Sequence, residues 1–154
     1  MHLIVTRPRS ESEALAVVLR NLGHQVLIEP MLTIQPIEDA AVDLADAAAL
    51  LLTSANGLRA LAQTTARREL PVLAVGAATA AAAREAGFTD VATAGGDVVA
   101  LAALVRQRFR PNDGVLVHVV GSAVAGDLAG DLCGDGYQVR RSVLYGAETT
   151  AQLS

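Results

Sequence analysis

A short apolar run, a turn and then an Ala- and Leu-rich amphipathic stretch recur from one end of this chain to the other, and the recurrence breaks off just after Val143-Leu144-Tyr145. Such alternation leaves few solutions: parallel strands need long crossovers, helices supply them, and the product is a parallel sheet covered on both faces. Leu3-Ile4-Val5-Thr6-Arg7-Pro8 predicts a buried strand and its turn, Ser10 to Leu22 a helix closed by Gly23, and Gln25 to Glu29 a second strand ahead of Pro30. That is one right-handed βαβ unit, with too little apolar surface to stand alone as a domain.

Between Pro30 and Pro36 the run Met31-Leu32-Thr33-Ile34-Gln35 reads as an extended crossover, and the domain boundary is expected here. An acidic helical stretch over Glu38 to Asp46 follows. A new series then starts with the strand Leu50-Leu51-Leu52-Thr53, the turn Ser54-Ala55-Asn56-Gly57 and a helix to about Arg67. Pro71 to Val75 is the next strand, Gly76 its turn, and Ala77 to Ala86 a helix ended by Gly87. A short strand at Val91-Ala92 precedes Gly95-Gly96 and a helix from Asp97, its cap, to Arg108. Val115 to Val119 is a strand, Gly121-Ser122 a turn, Val124 to Leu132 a helix, and Tyr137 to Val143 the last strand. Five strands separated by helices predict a doubly wound parallel sheet over residues 35–143, with residues 1–34 and 144–154 outside it.

Partners and compartment are bounded by composition. A formal charge of −4 and a pI near 5.3 argue against a general nucleic-acid binder, whose footprint is basic. Cys133 is the single cysteine, which excludes an intrachain disulfide and a multi-cysteine metal site and predicts a reducing, cytoplasmic setting. His2, His24 and His118 lack the i, i+4 spacing of a helical zinc site, so no metal is expected. Arg7, Arg9, Glu11 and Glu13 interrupt any leader-like apolar run, and no stretch reaches bilayer length, so no membrane partner is expected.

Chemistry in such sheets lies beyond the carboxyl ends of the strands, where helix N-termini expose unpaired amides. Four turns meet that description: Thr6-Arg7-Pro8, Thr53 to Gly57, Val75 to Thr79, and Val120-Gly121-Ser122. None is a GxGxxG or a Walker loop, so dinucleotide and nucleotide binding are poorly supported. Each has a plain structural reading as well. Thr53, Ser54 and Thr79 can cap or back-bond to their helices, Gly76 and Gly121 can serve tight turns, Arg7 can be a solvated turn residue, and Tyr145 can be a packing tyrosine.

Taken in order, Leu3 to Pro8, Leu51 to Gly57, Val75 to Ala80 and Val143-Leu144-Tyr145 resemble the uroporphyrinogen-III synthase family. The resemblance covers the whole chain through the order and spacing of these segments. It implies two flavodoxin-like α/β domains, the second inserted into the first. The second is then complete, while the first lacks the strands and helices expected after Tyr145, so that this piece alone is expected to be inactive and prone to self-association. The intact enzyme is expected to be a monomer.

The implied reaction closes the linear tetrapyrrole hydroxymethylbilane into a macrocycle, inverting its last pyrrole ring with loss of water and without a metal or organic cofactor. The substrate bears many carboxylates, which helix N-termini can hold without many cationic side chains. Matched position by position, Tyr145 is implied as the hydrogen-bond or proton donor to the departing hydroxyl. Thr6, Arg7 and Pro8 match the turn of the first domain, and Thr53, Ser54, Asn56, Gly76 and Thr79 match cleft turns of the second. Gly121 and Ser122 stand in a segment that departs from the usual family wording, and Gly146-Ala147-Glu148 replaces a commonly basic position. The competing reading, from a different class, is a non-catalytic α/β module that binds a small anion or regulates.

Overall fold

The apolar run at the start of the chain forms strand β1 (His2–Val5), followed by helix α1 (Arg9–Asn21) and strand β2 (Gln25–Ile28), in a computed structural model that describes residues 1–7, 9–29, 32–122 and 127–149. The two strands pair in parallel, His2 opposite Gln25 and Val5 opposite Ile28. Helix α1 stops at Gly23, whose φ of +89° an L side chain rarely adopts. The Gly23 amide donates to the Arg20 carbonyl and the His24 amide to that of Leu19, the paired bonds that satisfy a helix's last carbonyls. Ser12 and Ala16 form the fully buried stripe of α1, so this βαβ unit gains little from apolar burial.

The chain divides into two compact units, Met1–Gln35 with Gly146–Ser154, and Pro36–Tyr145. The segment expected as a bare crossover is instead strand β3 (Leu32–Pro36), at the edge of a six-stranded sheet beside the last strand. The extended backbone that proline favours suits an edge strand, where its missing amide proton costs no ladder bond. The expected helix over Glu38 to Asp46 does not form. Asp39 and Asp46 take φ of 58° and 59°, outside any right-handed helix, and the Asp43 carboxylate accepts from the Ala45 amide at 3.0 Å. The aspartates there act as turn formers.

From Pro36 to Tyr145 strand and helix alternate: β4 (Ala47–Leu52), α2 (Ala55–Thr64), β5 (Val72–Ala74), α3 (Ala77–Glu85), β6 (Val91–Thr93), α4 (Val98–Arg108), β7 (Val115–Gly121), α5 (Leu128–Gly134) and β8 (Gln138–Thr149), the last running past the unit's limit. The sheet order is β3-β8-β7-β4-β5-β6, and from β8 to β6 every pairing is parallel. The expected parallel, doubly wound α/β class is therefore observed. Within the five parallel strands the order is 3-2-1-4-5 when read by position along the sheet, with the third on the opposite side of the first from its place in flavodoxin's 2-1-3-4-5.

Strand alternation sorts the core into two layers. Leu50, Leu52, Val72, Val117 and Val119 pack with Leu58 and Leu61 of α2 and Ala83 of α3. Ala49, Leu51, Leu73 and Leu116 pack on the other face with Leu101 and Val105 of α4 and Leu132 of α5. Caps match the expectation at Asp97, whose carboxylate accepts from the Ala100 amide at 2.7 Å. Helix α2 ends three residues before the expected Arg67, because Thr65 is extended and Arg68 turns back onto the Ala62 and Thr65 carbonyls while its guanidinium lies 5.1 Å from the Phe88 ring. The last strand outruns its expected end at Val143, and the start expected at Val124 for the final helix lies outside the described residues.

Candidate functional site

The chain leaves β4 toward β5 and β6 on one side and returns through α4 to β7 on the other, so the strand order reverses between β4 and β7. A crevice opens at the carboxyl ends of strands that part in this way. The residues there are Thr53 and Ser54 after β4, Gly121 and Ser122 at the end of β7, and Tyr145 on β8.

The position of Tyr145 depends on an irregularity in β8. Val120 pairs with Val143 but Gly121 pairs with Tyr145, so one residue of β8 is extra at this point. An extra residue turns the strand and re-aims its side chains. The ring then lies against Gly121: a Cβ there would fall 2.6 Å from Cε2 and 2.7 Å from Cζ. Gly57 borders the opposite edge, its hypothetical Cβ 3.6 Å from Cε1. The Ser122 amide donates to the Tyr145 carbonyl at 2.9 Å, which fixes the backbone beneath the ring.

The phenol oxygen lies 2.9 Å from Ser54 Oγ, which also accepts from the Gly57 amide at 3.0 Å as the N-cap of α2. Both hydroxyls are half-buried. A helix N-terminus, a serine and a phenol thus form one hydrogen-bonded chain at the strand-order reversal.

Other expected site residues are less concentrated. Thr53 and Asn56 are half-buried, and Asn56 Oδ1 accepts from the Arg59 guanidinium at 3.0 Å. Gly76 is the N-cap of α3 without a side-chain cap, and an added Cβ there would meet nothing within 4 Å among the described residues. Thr79, expected to line the cleft, is only 5% exposed on the core side of α3. It lies in the first turn of α3, beside the buried Ala80. Thr6 and Arg7 lie exposed in the other unit, where Arg7 pairs with Glu11 at 3.6 Å; Pro8 lies outside the described residues.

Two residues that matter were not singled out from the sequence. Gly57 supplies the amide that engages Ser54, and its signal was the N-cap spacing Ser54-x-x-Gly57. His118 sits mid-strand in β7, 3% exposed, with no partner at either ring nitrogen among the described residues. Burial, with a smaller contribution from the Arg141 charge, lowers its pKa to about 4, so it is neutral at pH 7. A lone histidine inside the apolar run Val115 to Val120 was the available signal.

Among the described residues no group of three or more His, Cys, Asp or Glu could hold a metal ion, and no helix is long and apolar enough to cross a membrane. The family model of uroporphyrinogen-III synthase HemD matches residues 13–154. The fold resembles a mutant uroporphyrinogen III synthase from the extremely thermophilic bacterium Thermus thermophilus, at 21% identity and a TM-score of 0.67, over 97% of this chain and 64% of that one. It also resembles the uroporphyrinogen-III synthetase of Helicobacter pylori, at 19% identity and a TM-score of 0.58, over 84% of this chain and 58% of that one. The chain therefore spans less than two thirds of the length of these solved relatives. No curated protein sequence matches it.

Proposed function

The chain belongs to the uroporphyrinogen-III synthase family, and from that premise we propose that it forms part of a lyase that cyclises hydroxymethylbilane to the inverted macrocycle in tetrapyrrole biosynthesis. Beyond family membership, one observation supports the reading: the Tyr145 hydroxyl, held by Ser54, stands at the strand-order reversal where a doubly wound sheet binds its ligand.

In this reading the Tyr145 phenol gives its proton to the departing hydroxyl of the substrate, which leaves as water. The substrate's new ring bond forms at a pyrrole carbon, and the proton lost from that carbon restores the balance. Most of the acceleration comes from folding a flexible substrate so that its ends meet. The open N-terminus of α3 at Gly76, with the turns at Thr53, Asn56 and Ser122, supplies amides and hydroxyls for carboxylates. Thr79, being buried, supports α3 from within. The partner is a small polycarboxylate, no cofactor takes part, the setting is cytoplasmic, and the intact enzyme works as a monomer.

The test is incubation of the chain with hydroxymethylbilane, reading saturable binding and the ratio of inverted to uninverted macrocycle. Expected are saturable binding and, for these 154 residues alone, little inverted product, since they span less than two thirds of the length of the solved synthases. A chain that neither binds hydroxymethylbilane saturably nor yields inverted macrocycle returns the reading to a non-catalytic anion-binding module.

A further inference from the structure

We propose that Ser54 is a positioning residue that sets which way the Tyr145 phenol points its proton, and is not itself a ligand for substrate carboxylates. The proposal rests on the reading of Tyr145 as proton donor.

The hydroxyl of Ser54 already has two hydrogen-bond neighbours, and its single proton is the only one it could offer a carboxylate. A serine hydroxyl offers one proton and two lone pairs. At Ser54 one lone pair takes the Gly57 amide at 3.0 Å, and the Tyr145 hydroxyl lies 2.9 Å away. Between two hydroxyls either can donate, and the neighbours decide. An amide donating to Ser54 Oγ polarises the serine O–H and makes it the better donor, as successive hydrogen bonds reinforce each other. Ser54 then donates to Tyr145 Oη. The phenolic proton is left free for the substrate.

The same arrangement supports the oxygen after the proton has gone. Tyr145 Oη–H breaks, an O–H bond forms on the departing hydroxyl, and the phenolic oxygen carries the charge until the proton from the newly bonded pyrrole carbon returns. During that interval the serine hydroxyl and the Gly57 amide form a relay from the first turn of α2, a ten-residue helix whose N-terminus favours negative charge. Gly121 completes the device, because any side chain there would displace the ring from Ser54.

Two tyrosines, Tyr137 and Tyr145, are present in the chain, so protein labelled with ¹³C at tyrosine Cζ gives two resonances, assigned through Tyr137→Phe. Tyr137 donates to the Phe109 carbonyl at 2.7 Å within the same unit and reports whether that unit is folded. Ser54→Ala is expected to move the Tyr145 resonance and leave that of Tyr137 in place, while Ser54→Thr, which keeps the hydroxyl, restores it. Where the synthase turns over hydroxymethylbilane, Ser54→Ala is expected to lower kcat roughly tenfold, the worth of about one hydrogen bond, with KM held within about twofold. Should Ser54→Ala fail to fold, Tyr145→Phe reads the coupling from the other end by moving the Gly57 amide resonance. A Tyr145 resonance indifferent to Ser54→Ala, or a Gly57 amide indifferent to Tyr145→Phe, overturns the proposal. A Tyr145 resonance that follows Ser54 in protein unable to bind hydroxymethylbilane leaves the coupling intact and removes the synthase reading instead.

Discussion

Leu144 and Tyr145 are neighbours in sequence yet pack against the same core layer, Leu144 fully buried and Tyr145 at its margin. Consecutive residues of a regular strand face opposite ways, and the extra residue in β8 opposite Val120 and Gly121 is what brings both to one side. The ring needs the space that Gly121 leaves. Gly121→Ala would set a methyl 2.6 Å from the ring, a clash expected to cost about 1–3 kcal/mol. At Gly57 the nearest atom to an added methyl is Ser54 Oγ at 3.3 Å, and a gain in helix propensity of up to about 1 kcal/mol opposes the crowding. Urea unfolding midpoints should therefore rank wild type and Gly57→Ala close together and Gly121→Ala clearly below both.

Tyr145→Phe keeps the ring and removes the hydroxyl. Its stability cost is expected to be small, about 0.5–1.5 kcal/mol for one half-buried hydrogen bond. Where the synthase is active, ring closure should slow by about 10²-fold or more, the contribution of a positioned acid. Thr79→Ala should show the opposite balance. Thr79 is buried on α3, so its loss lowers the unfolding midpoint and spares the ratio of inverted to uninverted macrocycle. A Thr79→Ala variant of normal stability with a shifted isomer ratio would return Thr79 to the cleft.

Periodicity made the alternating elements readable, because each strand of the parallel sheet is a short apolar run and each helix opens at a turn or cap such as Ser54 or Asp97. It misled at Glu38 to Asp46, where apolar and acidic residues have helical spacing but Asp39 and Asp46 turn left-handed. It also passed over β3, whose place at a sheet edge is decided by pairing with residues more than a hundred positions away. The site divided the same way. Turn residues were legible from their location after strands, whereas the Ser54–Tyr145 bond spans 91 positions and depends on a register shift that no local pattern encodes.

In the unit that begins at Met1, one face of the β1–β2 pair is open. Ile4 and Leu27 are 59% and 53% exposed, and a pair of strands with an apolar face tends to recruit another copy. The chain is expected to self-associate with rising concentration in light scattering, and Ile4→Thr with Leu27→Thr to reduce that association while leaving the circular dichroism of the larger unit unchanged. Equal association by the double variant would mean that the contact lies elsewhere.

His118 predicts how stability depends on acidity. Its folded pKa of about 4 lies below the ordinary value of 6.5, chiefly through burial and secondarily through Arg141. The folded protein therefore keeps this ring neutral at a pH where the unfolded chain already binds a proton. The stability associated with the neutral ring is fully present above about pH 6.5, is lost as pH falls from there toward about 4, and changes no further below. At about 1.4 kcal/mol per unit the loss across that window is of order 3 kcal/mol. Carboxylates titrate nearby in pH, so the comparison that isolates the effect is wild type against His118→Leu. Leucine has no nitrogen to protonate and fills a site between apolar neighbours on β7, Val117 and Val119, where both imidazole nitrogens lack partners among the described residues. Denaturant titrations at pH 7.5, 6, 5 and 4 should then show the two proteins diverging in favour of His118→Leu as pH falls. Parallel curves would mean that the ring finds a proton acceptor or water when charged, and that burial at β7 does not hold it neutral.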